Sequence, residues 1–220
     1  MDKQMEKLAE TKHWYNEMLA GRVIKSLEKN NMTGLYVQTK KEALEKVISL
    51  IPEGSKVGTG GSLSLDQIGV KDVLRTGNYN FIDRNVPGLS EDESQQMRRD
   101  RLLADVFLTS TNAITMDGKL VNIDGTGNRV AALSFGPTKV IVVAGINKIV
   151  TDLETAIRRI KDYVTPLHAR RRDRSVPCAK TGVCVDCRIS ERSCNIVTII
   201  EHQRQKDRIT IIIVGEELGL

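Results

Sequence analysis

Aromatic side chains are scarce, with Trp 1, Tyr 4 and Phe 3 in 220 residues, so the core must be built from Val, Ile and Leu. Long apolar runs are missing as well. None approaches the roughly 20 residues that a membrane-spanning helix requires, so membrane insertion is not expected. The opening MDKQMEKLAETKHWYNEML is polar and amphipathic, without the apolar stretch of a signal peptide, and a cytoplasmic location is expected. Cysteine is absent from residues 1–177. Concentrated positive charge is lacking too. The net charge is +5, but the densest basic run, Arg170-Arg171-Arg172 with Arg174, is short and carries no interleaved aromatics. A platform for stacking bases is missing, and no nucleic-acid partner is expected. The positive excess is read as a solvated face, or as neutralising an anionic ligand or cluster.

What is present describes one well-buried α/β domain over 31–220, with a helical arm over 1–30 in front of it. In the arm, Leu8, Tyr15, Leu19, Val23 and Leu27 recur at helical intervals. TGLYVQT is expected as a strand, KKEALEKVISLI as a helix ended by Pro52, and SKVGTGG as a strand running into a glycine turn. SLDQIGVKDVLR is expected as one helix, NYNFIDR as a strand, and SEDESQQMRRDRLLA as a helix with an acidic first turn. ADVFLTSTNAIT and KLVNI flank Asp117-Gly118, a strong hairpin signal. A short helix around NRVAALSF, the strand TKVIVVAG and the helix TDLETAIRRIKDYV follow, the last with Thr151 and Glu154 spaced as a capping box. NIVTIIEH and RITIIIVG are expected to close the chain as a strand pair. Alternating strands and helices predict a mostly parallel sheet covered on both faces.

All four cysteines, Cys178, Cys184, Cys187 and Cys194, lie in one segment with the spacing C-x5-C-x2-C-x6-C. Thiols gathered in a chain without a secretory signal point to a metal site. Lys180, Arg188 and Arg192 would offset the charge of four thiolates. Zinc and an iron–sulfur cluster both accept such a set, and the spacing is diagnostic of neither. His13, His168 and His202 are read as surface or helix residues rather than ligands.

Two glycine loops are candidates for holding an anion. Gly58, Gly60, Gly61 and Ser62 join a strand to a helix start, where backbone N–H groups converge. The loop lacks the lysine of a P-loop, and a plain tight turn is the competing reading. NIDGTGNRVAA places Gly125, Thr126, Gly127 and Asn128 before a helix, yet Val130 stands where the dinucleotide fingerprint needs its third glycine. A small polar or anionic ligand suits this loop better than NAD. Arg129 or Lys148 would pair with a substrate carboxylate, and Asp124 or Asp117 are candidates for a general base. Asp117 equally serves to shape the hairpin turn.

GTGGSLSLDQIG, ADVFLTSTNAITMDGKLVNIDGTGNRVAAL, GPTKVIVVAGINKIV and the terminal PCAKTGVCVDC…RSCN resemble, in this order, the LUD (lactate-utilisation) domain family. The cysteine tail resembles a subset of short, stand-alone members. The resemblance implies a three-layer α/β/α fold similar to ribose-5-phosphate isomerase and CoA transferases. It also implies a redox role in oxidising lactate or another small organic acid, with an iron–sulfur partner subunit, and tilts the cysteine reading toward iron–sulfur. The alternatives are a non-redox enzyme or binding module for a sugar phosphate or CoA-type ligand, with structural zinc. The helical arm leaves a homo-oligomer open.

Overall fold

The structure is a computed structural model that describes residues 3–220. Among these, ten strands form two sheets. The larger sheet runs β1 (Thr33–Val37), β10 (Ile209–Val214), β7 (Lys139–Gly145), β4 (Val106–Thr109), β2 (Lys56–Thr59) and β3 (Asn80–Ile82), with every neighbouring pair parallel. Its inner strands are apolar on both sides, as a sheet buried by helices requires. Val140 and Val142 face one core while Ile141 and Val143 face the other.

The second face packs on α2 (Lys40–Ser49), α3 (Leu63–Gln67) and α4 (Val70–Thr76) through Val47, Leu65 and Leu74. The first is covered by α1 (Lys3–Lys29), α6 (Asn128–Ser134) and residues of the smaller sheet. The result is a three-layer α/β/α sandwich. Only Ala20, Val23 and Leu27 of α1 are buried, because the helix overhangs the domain; Leu8 and Tyr15, on the expected apolar stripe, are exposed.

The smaller sheet runs β8 (Ile149–Val150), β5 (Ala113–Thr115), β6 (Leu120–Asp124) and β9 (Ile196–Ile200). It rests on α7 (Leu153–Arg159) through Val121 and Ala156. A π-helical turn, Ile160–Val164, joins α7 to α8 (Thr165–Arg171), and α9 (Pro177–Thr181) follows. α5 (Glu91–Asp100) begins with the capping box of Ser90 and Glu93.

Four expectations are corrected. The strand read through ADVFLTSTNAIT breaks at Ser110–Asn112, so that β4 joins the large sheet and β5 the small one. The final strands do not pair: β9 lies antiparallel to β6, whereas β10 lies between β1 and β7. The single helix after the glycine turn is two short ones, broken at Gly69 with φ +74°. The cap of α7 is Asp152, which accepts the Thr155 N–H at 2.8 Å; it outcompetes Thr151 because a carboxylate is the stronger acceptor. The hairpin stands as expected, with Gly118 at φ +82° in the turn.

Candidate functional site

Adjacent parallel strands β2, β4 and β7 end side by side, and their carboxyl ends deliver Gly60–Ser62, Ser110–Asn112 and Lys148 to one edge of the sheet. This edge is where parallel α/β folds hold ligands. Lys148 sits in the short 3₁₀ turn after β7 and is 4% exposed. Its Nζ donates to Ser110 Oγ at 2.8 Å and to Ser64 Oγ at 3.1 Å. No carboxylate pairs with it among the described residues. Burial, reinforced by Arg159 and Arg129, lowers its pKa to about 7. Gly219 closes over it: a Cβ there would come within 3.3 Å of Nζ.

Arg129, from the first turn of α6, reaches back under the same strand ends. Its guanidinium donates to Asn122 Oδ1 (2.6 Å), Asn112 Oδ1 (3.1 Å), the Ile123 carbonyl (3.1 Å) and the Ser110 carbonyl (3.3 Å). Asp124 is 3.8 Å from its Nε. The donors of Arg129 are thus committed to protein oxygens, and it acts as a fixed positive charge holding β4, β5 and β6 together. Burial lowers its pKa, while Asp124 works in the opposite direction. Asp124 accepts the backbone N–H groups of Gly125, Arg129 and Val130 at 3.2–3.3 Å and so caps α6. Asp117 bonds Thr115 in the hairpin and has the role of a turn residue.

In the first glycine loop, Ser62 caps α3 by accepting the Leu65 N–H. Gly58, Gly60 and Gly61 all lie outside the positive-φ region, so backbone freedom is not what they supply. They supply room. A Cβ on Gly58 would meet Arg101 Cγ at 2.9 Å, one on Gly60 would meet Arg129 Cγ and Cδ at 3.3 Å, and one on Gly61 would meet Arg84 Nη2 at 2.6 Å. Each glycine therefore admits a different arginine to the strand ends. Arg84, Arg101, Ser64, Ser110 and Arg159 were not legible as site residues in the sequence. The spacing G-x-G-G is the local signal for close approach, but it does not say what approaches.

The second glycine loop is a dock for the cysteine segment. A Cβ on Gly125 would lie 3.3 Å from the Ser193 carbonyl oxygen. Gly127, at φ +89°, packs against Ile196, while Thr126 is exposed and Asn128 opens α6. The four cysteines are free thiols. Cys178 is held on α9 among Ala169, Val176 and Ala179, and burial, then the nearby thiols of Cys184, Cys187 and Cys194, raise its pKa. Arg192 donates to the carbonyls of Cys187 (2.6 Å) and Cys194 (3.1 Å), which ties the two turns together. Among the described residues, no three His, Cys, Asp or Glu side chains are already drawn in to metal-binding distance. The chemistry of the donor set, four thiols in one segment with Arg192 beside them, is of the kind that a zinc ion or an iron–sulfur cluster accepts. His168 is half-buried on α8, its pKa lowered by burial and by surrounding arginines; His202 is exposed. His13 lies half-buried on α1.

No helix among the described residues is long and apolar enough to cross a membrane. No curated protein matches the chain. Among solved structures, a DUF162 family protein from Deinococcus radiodurans is similar over 90% of this chain and 97% of its own, with 13% identity and a TM-score of 0.51. The likeness to eIF2B delta from Chaetomium thermophilum is more distant: 17% identity, 64% and 54% coverage and a TM-score of 0.32. The family model of the LUD domain matches residues 20–214, spanning the glycine turn, the Asp124–Arg129 loop, Lys148 and all four cysteines. The chain belongs to the LUD-domain family.

Proposed function

We propose that the protein is a redox member of this family, binding a small organic acid at the strand ends and carrying an iron–sulfur centre on its cysteine segment. The observation that carries this reading is the contact between the two parts. Cys194 is followed by Asn195, whose backbone N–H bonds the Asp124 carbonyl at 2.9 Å and whose side chain donates to the Gly125 carbonyl at 3.2 Å. A change at the sulfurs therefore reaches the loop that fixes Arg129.

Lys148 supplies the cation for the acid's carboxylate, because its buried ammonium bonds only the Ser64 and Ser110 hydroxyls and no carboxylate among the described residues pairs with it. Arg129 and Arg159 add to the field without giving up their own hydrogen bonds. Oxidation of a 2-hydroxy acid to the 2-oxo acid releases two electrons and two protons. An iron–sulfur centre, when bound, supplies one-electron transfer, so a redox partner subunit must take the electrons onward. Cys178, Cys184, Cys187 and Cys194 would hold it.

The test is the purification of the chain without oxygen, with iron, sulfide and zinc measured per protein. Iron and sulfide, lost together in the Cys184→Ser, Cys187→Ser double variant, support the reading. Colourless protein with one zinc per chain favours a structural staple and an enzyme or binding module without redox chemistry.

A further inference from the structure

Arg101 stands at the start of the 3₁₀ turn Arg101–Leu103 after α5 and is only 2% exposed. Its Nε and Nη2 are buried and have no hydrogen-bond partner among the described residues. Arg98, three residues earlier, also leaves a buried Nε without one. Arg84 follows β3 and lays its guanidinium over Gly61. The carboxylates that act on this group are already engaged: Asp83 bonds Arg75 at 2.7 Å, and Asp66 bonds Lys71 at 2.5 Å. Burial and the mutual repulsion of Arg84, Arg98 and Arg101 lower the Arg101 pKa to about 10.

A guanidinium held out of water without an anion, with two more cations beside it, is unfavourable, and unsatisfied buried donors of this kind call for a partner. The geometry points to a phosphoryl subsite formed by Arg84, Arg98 and Arg101 beside the Gly60–Ser62 turn, so that the small acid bound through its carboxylate at Lys148 also carries a phosphate monoester. Arginine matches the need on two counts. Its parallel N–H groups bind two oxygens of one phosphoryl group, and more than one guanidinium is required to balance a dianion, whereas a carboxylate would leave excess positive charge. The exposed Gly61 and half-buried Arg84 form the open side. This subsite shares the strand ends with the acid site at Lys148 and deepens that reading, but it owes nothing to the cysteines. Together the two cationic groups suit a small acid with a carboxylate toward β7 and a phosphoryl group toward β3.

Thermal denaturation of the full chain with inorganic phosphate, phosphoglycolate and glycolate, at constant ionic strength, tests the assignment. Phosphoglycolate is expected to bind most tightly and phosphate next, each raising the midpoint by about 3–5 °C at tenfold excess over its Kd. Arg84→Gln and Arg101→Met should each weaken phosphate at least tenfold. Arg101→Met should leave the ligand-free midpoint unchanged or higher, which a structural arginine would not. If Arg101→Met does not fold, Arg84→Gln and Gly61→Ala, whose new methyl displaces Arg84, decide the matter. Absence of a phosphate or phosphoglycolate shift in the parent protein overturns the proposal, as does an undiminished shift in the variants or an equal shift with chloride. Lys148→Met separates the two readings: it should abolish the glycolate response and spare the phosphate response.

Discussion

Asn195 donates its side-chain N–H to the Gly125 carbonyl at 3.2 Å, so the residue after Cys194 is fastened to the loop that precedes Arg129. Its backbone N–H, on the Asp124 carbonyl at 2.9 Å, is the second fastening. Asn195→Ala removes two exposed side-chain bonds, to the Gly125 and Arg192 carbonyls, and should cost about 1 kcal/mol. Asn195→Pro removes both donors and should raise amide exchange across 122–132 while lowering the metal content of the cysteine segment. Hydrogen exchange with elemental analysis measures both; protection unchanged in the proline variant would uncouple the two parts.

Lys148 gives the pH dependence a definite sign. Its folded pKa, about 7, lies below the 10.5 of an ordinary lysine. Between these values the unfolded chain holds a proton that the folded chain has released, so stability rises with pH over that window and is flat below it. An anion prefers the charged lysine, so L-lactate affinity should fall up to tenfold per pH unit above about 7. Calorimetric titration from acid to alkaline pH reads the affinity. Lys148→Met should remove both dependences, and a pH-independent affinity in the parent protein would exclude Lys148 as the partner of the carboxylate.

The large sheet was legible because burial on both faces leaves only Val, Ile and Leu to choose from, as in KVIVVAG and ITIIIVG. The breaks were not. Ser110–Asn112 reads as a continuation of the strand because it lies between two apolar runs, yet the strand stops there and Asn112, with Asn122, turns its side chain to Arg129. β9 and β10 resemble a hairpin in sequence, but β10 is apolar on both faces and fits only a central position, which sends β9 elsewhere. At the site, the glycines could be picked out, whereas Arg84 and Arg101 could not. They are far in sequence from the glycines they lie on, and only the tertiary fold makes them neighbours.

Arg129 should behave as a structural cation. Arg129→Met leaves Asn122 Oδ1, Asn112 Oδ1 and Asp124 without their charged partner in a largely buried place. A loss of about 3 kcal/mol is expected from such a stranded network. Urea denaturation measures it, and a loss below about 0.5 kcal/mol, the range of an exposed pair, would contradict the burial argument.

The tail residue Gly219 governs how dry Lys148 is. Its backbone N–H bonds Gln67 Oε1 at 2.6 Å, its φ is +64°, and a Cβ would meet Ser64 Oγ at 2.8 Å. Gly219→Ala is both strained and crowded, and it should lift the tail from Lys148. Gln67→Ala removes the tether without adding bulk. In both variants water reaches Nζ, desolvation weakens, and the lysine pKa should move up toward its ordinary value. The midpoint of the L-lactate pH profile would then shift to higher pH. A midpoint that stays near about 7 in both variants would mean that the strand ends alone, and not the tail, set the environment of Lys148.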